Sequence, residues 1–414
     1  MRQRQVSVTH NIKTSHSALH HMSIPFPWMP EELASLAEHG LWRVRRTVLR
    51  RPNGWCEVDG RRLRDFASND YLGLSQDPRV IEAAQRAAAE CGAGSGGSQL
   101  VVGRSPWHER LESRLAQFEG QEAALLFPTG YAANVGSIAA LVGHGDLICS
   151  DRLNHASLID GCRLSGAELY VYDHDQLDGL ETRLRAVKNV RRKLIVTDGV
   201  FSMDGVLAPL AELCALAGRY GAELLVDEAH ATGVFGRRGR GVAELLEVEG
   251  GVAVRVGTLS KALGSVGGFV TGSRTLVDWL WNRARTQIFS TAAPPAACAA
   301  ACAALEIIEA EPTRREKLLS LALRLRQGIG ALGLETVSGG TGPIVPVLLR
   351  DPRSAMFVAR RLEERGFLVG AMRPPSVPAG TSRLRIGVTA INDVEEIVAL
   401  LDALEKAAIT ELAV

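Results

Sequence analysis

Two residues of this sequence are placed to act together. Asp227 ends the apolar run "AELLVDE" (222–228), and Lys261 follows the apolar run "VAVRVGT" (252–258), thirty-four positions after Asp227. A carboxylate at the tip of a buried strand costs free energy unless a cation meets it. A lysine among the small residues of "GTLSKALGSVGG" (257–268) is expected in a confined place, where desolvation lowers its pKa and favours the neutral amine needed for a Schiff base. Taken singly, each has an ordinary reading: an aspartate capping a turn, and a loop lysine in solvent. Other polar groups follow other apolar runs. His155 lies in "SDRLNHAS" (150–157), His230 comes just after Asp227, and Thr258 and Ser260 precede the lysine. "LFPTGYAAN" (126–134) reads as a turn that opens a helix, with Gly130 and Tyr131 at its start.

Together these groups meet the needs of pyridoxal 5′-phosphate (PLP). Asp227 would pair with the protonated ring nitrogen and strengthen the ring as an electron sink. The first amides of a helix at Gly130 and Tyr131, with the Thr258 hydroxyl, would receive a phosphate dianion. His155 could stack on the ring. A competing signal is "GAGSGG", in which Gly92, Gly94 and Gly97 spell the dinucleotide pattern G-x-G-x-x-G. That pattern must follow a strand and open a helix, with an acid about twenty positions on. Here it follows the helical "VIEAAQRAAAE" (80–90), and no such acid ends a second strand, so a dehydrogenase is excluded.

The elements that must position these residues are legible from about residue 120. Short apolar runs at 123–127, 147–150, 168–173, 193–199, 222–228, 252–258 and 267–272 alternate with helical patterns such as 210–221. Strands apolar throughout belong in a parallel sheet covered on both faces. The fold class is therefore α/β, with a mostly parallel seven-stranded sheet. "WHERLESRLAQFEG" (107–120) is an amphipathic helix stopped by Gly120. After residue 300, helices at 296–310, 313–329, 353–366 and 393–407 and strands at 344–350 and 383–390 indicate a smaller α+β domain. The expected division is a tail (1–29), an N-terminal segment (30–62), a large domain (63–300) and a small C-terminal domain (301–414). Residues 1–22, with bases and no acid, read as a disordered tail or as sequence before a true start at Met22.

With 414 residues and a net charge of +1, the chain asks for neither nucleic acid nor a charged surface as partner. No apolar run is long enough to span a bilayer. The seven cysteines form no C-x-x-C pair and no zinc-type cluster, so a reducing cytoplasm is expected, without disulfides or bound metal.

The motifs "SNDYLGLS" (68–75), "GAGSGGS" (92–98), "TGYAAN" (129–134), "NHASLIDG" (154–161), "DGVFSMDGVLAPL" (198–210), "VDEAHATGVFGRRGRG" (226–241), "GTLSKALGSVGG" (257–268), "FSTAAPP" (289–295) and "RPPSVPAGTSRLRIGVTA" (373–390) resemble, in order and spacing, the α-oxoamine synthases. These are fold-type I PLP-dependent transferases that condense an amino acid with an acyl thioester and release carbon dioxide. The resemblance implies that Lys261 holds the cofactor and Asp227 pairs with its ring nitrogen. His230 and Ser202 would lie near the ring hydroxyl, with His155 on the ring face. Gly130, Tyr131 and Thr258 would serve the phosphate, and Thr291 would reach it from the neighbouring subunit of a homodimer. Arg373 would grip the amino-acid carboxylate, with Asn69 and Arg385 as helpers. Ser98, Gln99 and Leu100 would shape the acyl site, and Arg43 could touch the acyl group or its carrier. "VFSMDGVLAPL" and "RPPSVPAGTSRLR" point to the branch that joins L-alanine to a pimeloyl thioester, carried on coenzyme A or acyl carrier protein, for biotin biosynthesis. The alternatives are members that use glycine or serine, or a scaffold of the same fold that has lost catalysis. Two positions depart from the family: Tyr131 replaces its usual phenylalanine, and Leu100 stands where aminolevulinate synthases carry a polar asparagine.

Overall fold

The structure, a computed structural model, describes residues 26–412; the expectation for residues 1–22 lies outside them. Residues up to Val44 form one unit and those from Arg45 onward another. The first unit carries the helix Met29–Glu38, which has a proline and two acids in its first turn and buries none of its residues.

The second unit carries the strands β1 (Val48–Arg51), β2 (Trp55–Val58), β3 (Arg61–Phe66), β4 (Ala123–Phe127), β5 (Leu147–Asp151), β6 (Glu168–Tyr172), β7 (Lys193–Asp198), β8 (Glu223–Asp227), β9 (Val254–Thr258), β10 (Gly268–Gly272), β11 (Ile344–Arg350), β12 (Phe367–Met372) and β13 (Ser382–Gly387). Strands β4 to β10 form a seven-stranded sheet in the order β4-β10-β9-β8-β7-β5-β6. It is parallel except for β10, which runs antiparallel to both β4 and β9. Alternate residues feed opposite faces: Leu125, Ile148, Val196, Leu225 and Val256 pack into one core cluster. Leu126, Cys149, Ile195, Leu224 and Phe269 pack into the other. This is why the central strands read as continuous apolar runs. At the edge, β6 leaves Leu169 and Val171 partly in solvent.

The second sheet has the order β1-β2-β3-β12-β13-β11 and is antiparallel except where β12 joins β3. Strands β1, β2, β3 and β12 are additions to the sequence reading. Residues 48–66 thus complete a sheet otherwise built from residues 344–387. The signal for this hairpin was present. Asn53-Gly54 and Asp59-Gly60 all take positive φ, as tight hairpin turns require. The arginine-rich "RRLRDF" of β3 obscures the alternation that buries Leu63, Asp65 and Phe66.

The carboxyl ends of the large sheet form the platform for chemistry. Strands β7 and β8 end in register, with Asp198 paired to Asp227 across the ladder. Beside them, β10 starts at Gly268, packed against the turn that opens the helix Gly130–Leu141. A Cβ at Gly268 would lie 2.4 Å from the Thr129 carbonyl oxygen and 2.6 Å from the Gly130 nitrogen. Backbone cannot yield as a flexible side chain can. Gly268→Ala is therefore expected to destabilise the protein by about 1–3 kcal/mol, the usual cost of overpacking. Urea unfolding measures this, and an unchanged midpoint would contradict the close packing of this turn.

Candidate active site

Lys261 lies in the loop between β9 and β10, three residues beyond Thr258, and is half-buried. Its amine is pushed down to about 8, chiefly by burial and against the pull of Asp227 and Asp198. Arg385 also acts on it, and Lys261 in turn acts on His155 and His230. The structure therefore brings Lys261, Asp227, His155, His230 and Arg385 into one electrostatic cluster.

Asp227 is buried at the last position of β8. Its Oδ1 accepts the Ala229 amide at 2.8 Å, and its Oδ2 accepts from Asn134 Nδ2 at 2.6 Å. Neighbouring Asp198 accepts the His155 amide at 2.6 Å, and burial, followed by the Asp227 charge, pushes its carboxyl well up. His155 caps the helix Ala156–Ser165, and burial lowers its pKa, which favours a neutral ring.

His230 is buried, with Nδ1 2.6 Å from the Tyr71 hydroxyl. Burial holds its pKa well below the ordinary histidine value and raises that of Tyr71. The tyrosine keeps its proton, and its hydroxyl lies within reach of two groups, His230 Nδ1 at 2.6 Å and Asn69 Oδ1 at 3.3 Å. Arg385, on β13, locks this corner. Its Nε donates to the Ser202 carbonyl at 2.6 Å, Nη1 to Asn69 Oδ1 at 2.9 Å and Nη2 to the Tyr71 hydroxyl at 3.4 Å. Arg385 and Asn69 are thus engaged with each other and with this corner, and their shared position is that of a brace behind His230.

The amides of Gly130 and Tyr131 open the helix Gly130–Leu141, capped by Thr129. Gly130 sits against Thr258, where a Cβ would approach the threonine Cβ to 3.3 Å. The Thr258 hydroxyl donates to the Gly267 carbonyl at 2.9 Å and accepts the Ser260 amide at 3.2 Å, so it organises the turn that carries Lys261. The exposed Tyr131 side chain donates from its hydroxyl to Asp160 at 2.6 Å, which leaves its amide at the helix end.

The glycine-rich stretch follows the helix Pro78–Cys91 and leads into a turn, as the sequence required. It is pinned to the segment containing Thr291: the Ala292 amide donates to Gly97 and Ser95 Oγ to Ala293. Thr291 itself is exposed. Ser98 is half-buried, and its carbonyl accepts the amides of Val101 and Gly103. Gln99 departs from the expectation. It turns into the fold, donating to the Leu126 carbonyl at 3.1 Å and accepting from Arg104 at 3.1 Å, because a buried amide must satisfy its polar atoms. Leu100 remains 45 % exposed. Arg373 is half-buried just after β12, and Arg43 is exposed in the N-terminal unit. A cleft of about 1120 Å³ is lined by Asn154, Met203 and Pro374, which directly adjoin His155, Ser202 and Arg373.

Sequence reasoning missed Tyr71, Asn134, Ser157 and Asp198, although all lie inside the motifs quoted above. Their types carry no chemical signature of their own; their contacts do. The residues present fit PLP. A depressed lysine amine, a buried carboxylate met by neutral donors, neutral histidines and free helix amides match its aldehyde, ring nitrogen, ring face and phosphate.

Residues 62–404 match the aminotransferase class I and II family, and the chain belongs to that family. Its cofactor is pyridoxal 5′-phosphate, and its relatives are the α-oxoamine synthases. It is 50 % identical to the 8-amino-7-oxononanoate synthase of Anaeromyxobacter dehalogenans over 91 % of this chain and 94 % of that one. Among solved structures it resembles serine palmitoyltransferase from S. paucimobilis with a bound PLP–myriocin aldimine, with a TM-score of 0.89 and 33 % identity over 94 % of this chain and 98 % of that one. An 8-amino-7-oxononanoate synthase from Francisella tularensis aligns with a TM-score of 0.73 and 29 % identity over 84 % of this chain and 99 % of that one.

The lowered amine has a kinetic signature. Below its pKa Lys261 is a protonated, unreactive ammonium; above it the amine is free. Capture of PLP by the cofactor-free protein should accelerate as pH rises through about 8, well below the ordinary lysine value of 10.5. Stopped-flow absorbance reads this rate, and a midpoint near the ordinary value would contradict the desolvated site.

Proposed function

We propose that this chain is a PLP-dependent acyltransferase that condenses L-alanine with a pimeloyl thioester, releasing carbon dioxide and the free thiol carrier and yielding 8-amino-7-oxononanoate for biotin biosynthesis. The observation that carries this reading is the depressed Lys261 amine acting within the field of the buried Asp227 carboxylate, in a chain half-identical along nearly its whole length to a synthase of that name.

When bound, PLP supplies an electrophilic carbon for the amino group and an electron sink for the bonds broken at Cα. Asp227 would meet the ring nitrogen with its charge, and the Asn134 and Ala229 donors hold its carboxylate in place. His230 and Ser202 would hold the ring hydroxyl, and His155 would serve the ring face. The amides of Gly130 and Tyr131, with Thr258, would hold the phosphate. Arg373 would grip the alanine carboxylate, with Asn69 and Arg385 keeping that side of the site in shape. Lys261, neutral in mildly alkaline solution, takes the Cα proton of alanine and later returns a proton to the same carbon. Between these two transfers a bond forms from Cα to the thioester carbonyl carbon, the carbon–sulfur bond breaks with the thiol as leaving group, and the carboxylate departs as carbon dioxide.

The thioester enters by the cleft beside Pro374 and Met203. Ser98 and the exposed Leu100, on the glycine-rich loop, offer an alkyl-compatible surface to the acyl chain. A second copy of the chain completes the phosphate site through Thr291, which is exposed and tethered to the glycine loop. The seven free cysteines suit a reducing cytoplasm. Among the described residues no helix is long and apolar enough to cross a membrane.

Steady-state assays of the PLP-loaded protein with pimeloyl-CoA should give a kcat/KM for alanine at least about tenfold above those for glycine and serine, since a methyl group or a hydroxyl is worth that much in a shaped site. A larger value for either competitor overturns the alanine assignment. Arg373→Ala should raise the KM for alanine by about tenfold or more, the worth of a charge-assisted pair, with a smaller effect on the KM for the thioester. Equal effects on both would remove Arg373 from its proposed role.

A further inference from the structure

The His155 ring is held through one of its nitrogens. Nδ1 lies 2.8 Å from Ser157 Oγ and accepts the Ser157 amide at 3.3 Å. Ser157 Oγ is also 2.9 Å from Asn134 Nδ2, the same nitrogen that lies 2.6 Å from Asp227 Oδ2. Asn134 and Ser157 are each 1 % exposed, and Asn134 Oδ1 has no partner among the described residues. A four-residue chain thus runs from the carboxylate opposite the ring nitrogen to the imidazole.

The direction of each proton follows from what each group can do. An ionised carboxylate only accepts, so Asn134 must present its amino group, and not its carbonyl, to Asp227. An amide nitrogen carries two protons; one goes to Asp227, which leaves the other for Ser157 Oγ. That oxygen, already accepting, has its own proton to give, and His155 Nδ1 is the acceptor within reach. Nδ1 therefore meets two donors, a hydroxyl and a backbone amide. A proton on Nδ1 would confront both.

We propose that Asn134 and Ser157 are positioning residues that form a relay from Asp227 to His155 and fix the neutral imidazole as its Nε2–H tautomer. His155 then presents an N–H, and no lone pair, on the side away from the relay. The charged groups acting on His155 are Asp227, Lys261 and Asp160; burial opposes its protonation, so the tautomer question applies to a neutral ring. If the proposed reaction is right, His155 donates a hydrogen bond to a substrate oxygen, and the proton transfers at Cα fall to Lys261. The tautomer itself does not depend on that reaction.

Nitrogen-15 NMR of the full chain labelled at histidine, with and without PLP and with no substrate, tests the relay. His155→Gln assigns the signal. In the unmodified protein Nδ1 should lie at the unprotonated extreme and Nε2 at the protonated one; a protonated Nδ1 overturns the proposal, and this measurement leaves Asn134 and Ser157 unaltered. Ser157→Ala should draw both shifts toward the tautomer average, and Ser157→Thr, which keeps the hydroxyl, should restore them. Asn134→Ala should move the shifts in the same direction and weaken PLP binding about tenfold, because Asp227 loses a charge-assisted donor. Unchanged shifts in Ser157→Ala or Asn134→Ala remove that residue from the relay. Because substrate is absent, these outcomes are independent of whether alanine is the amino acid used.

Discussion

Burying a carboxylate is the constraint on which this structure turns. Asp227 sits at the end of a strand covered on both faces, where an unpaired charge is expensive. Its oxygens are met by a backbone amide and by Asn134, neutral donors that stabilise the charge without consuming it. The carboxylate stays available to a cation brought in by a ligand. The adjacent Glu228 faces the same problem and solves it on its own. It accepts the amides of Val242 and Ala243 at the start of a short helix, in space that Gly199 and Gly241 leave open. Burial pushes its carboxyl up to about 7. Of two consecutive buried acids, one is closed off within the fold and the other is kept for chemistry.

The two sheets of the second unit meet behind the site. Arg385 comes from β13, yet its guanidinium is spent on the Ser202 carbonyl, which follows β7 of the other sheet, and on Asn69 and Tyr71, which follow β3. Arg383, two residues earlier on the same strand, pairs with Asp204 in the same loop as Ser202. These contacts make the orientation of His230 depend on residues more than 150 positions away along the chain. Lys261 likewise owes its depressed pKa first to burial, and the charges that act on it, Asp227, Asp198 and Arg385, come from three other strands.

Much of the fold was legible because parallel strands buried on both faces leave a plain signature. The seven runs that form the large sheet and the long helices after residue 290 lie within a few residues of where their patterns placed them. The hairpin of residues 48–66 was not read, because its charged, half-exposed strands lack that signature and only the turns Asn53-Gly54 and Asp59-Gly60 announced it. Lys261, Asp227, His155 and His230 could be singled out because such groups are costly beside apolar strands. Asn134, Ser157 and Tyr71 could not, since their meaning lies in which atom faces which. Gln99 illustrates the same limit: its place beside the glycine loop suggested a substrate wall, whereas packing turned it inward to bond Leu126 and Arg104.

The sequence by itself determined the strands of the large sheet and the helices after residue 290, the candidates for the reactive groups and the rejection of "GAGSGG" as a nucleotide loop, because these follow from local periodicity and from the cost of charge next to apolar runs. Only the tertiary structure decided which neutral donors hold Asp227, which sheet braces His230 and which nitrogen of His155 faces Ser157. Those are relations between atoms far apart in the chain, and a hydrogen bond has direction only once both of its ends are in place.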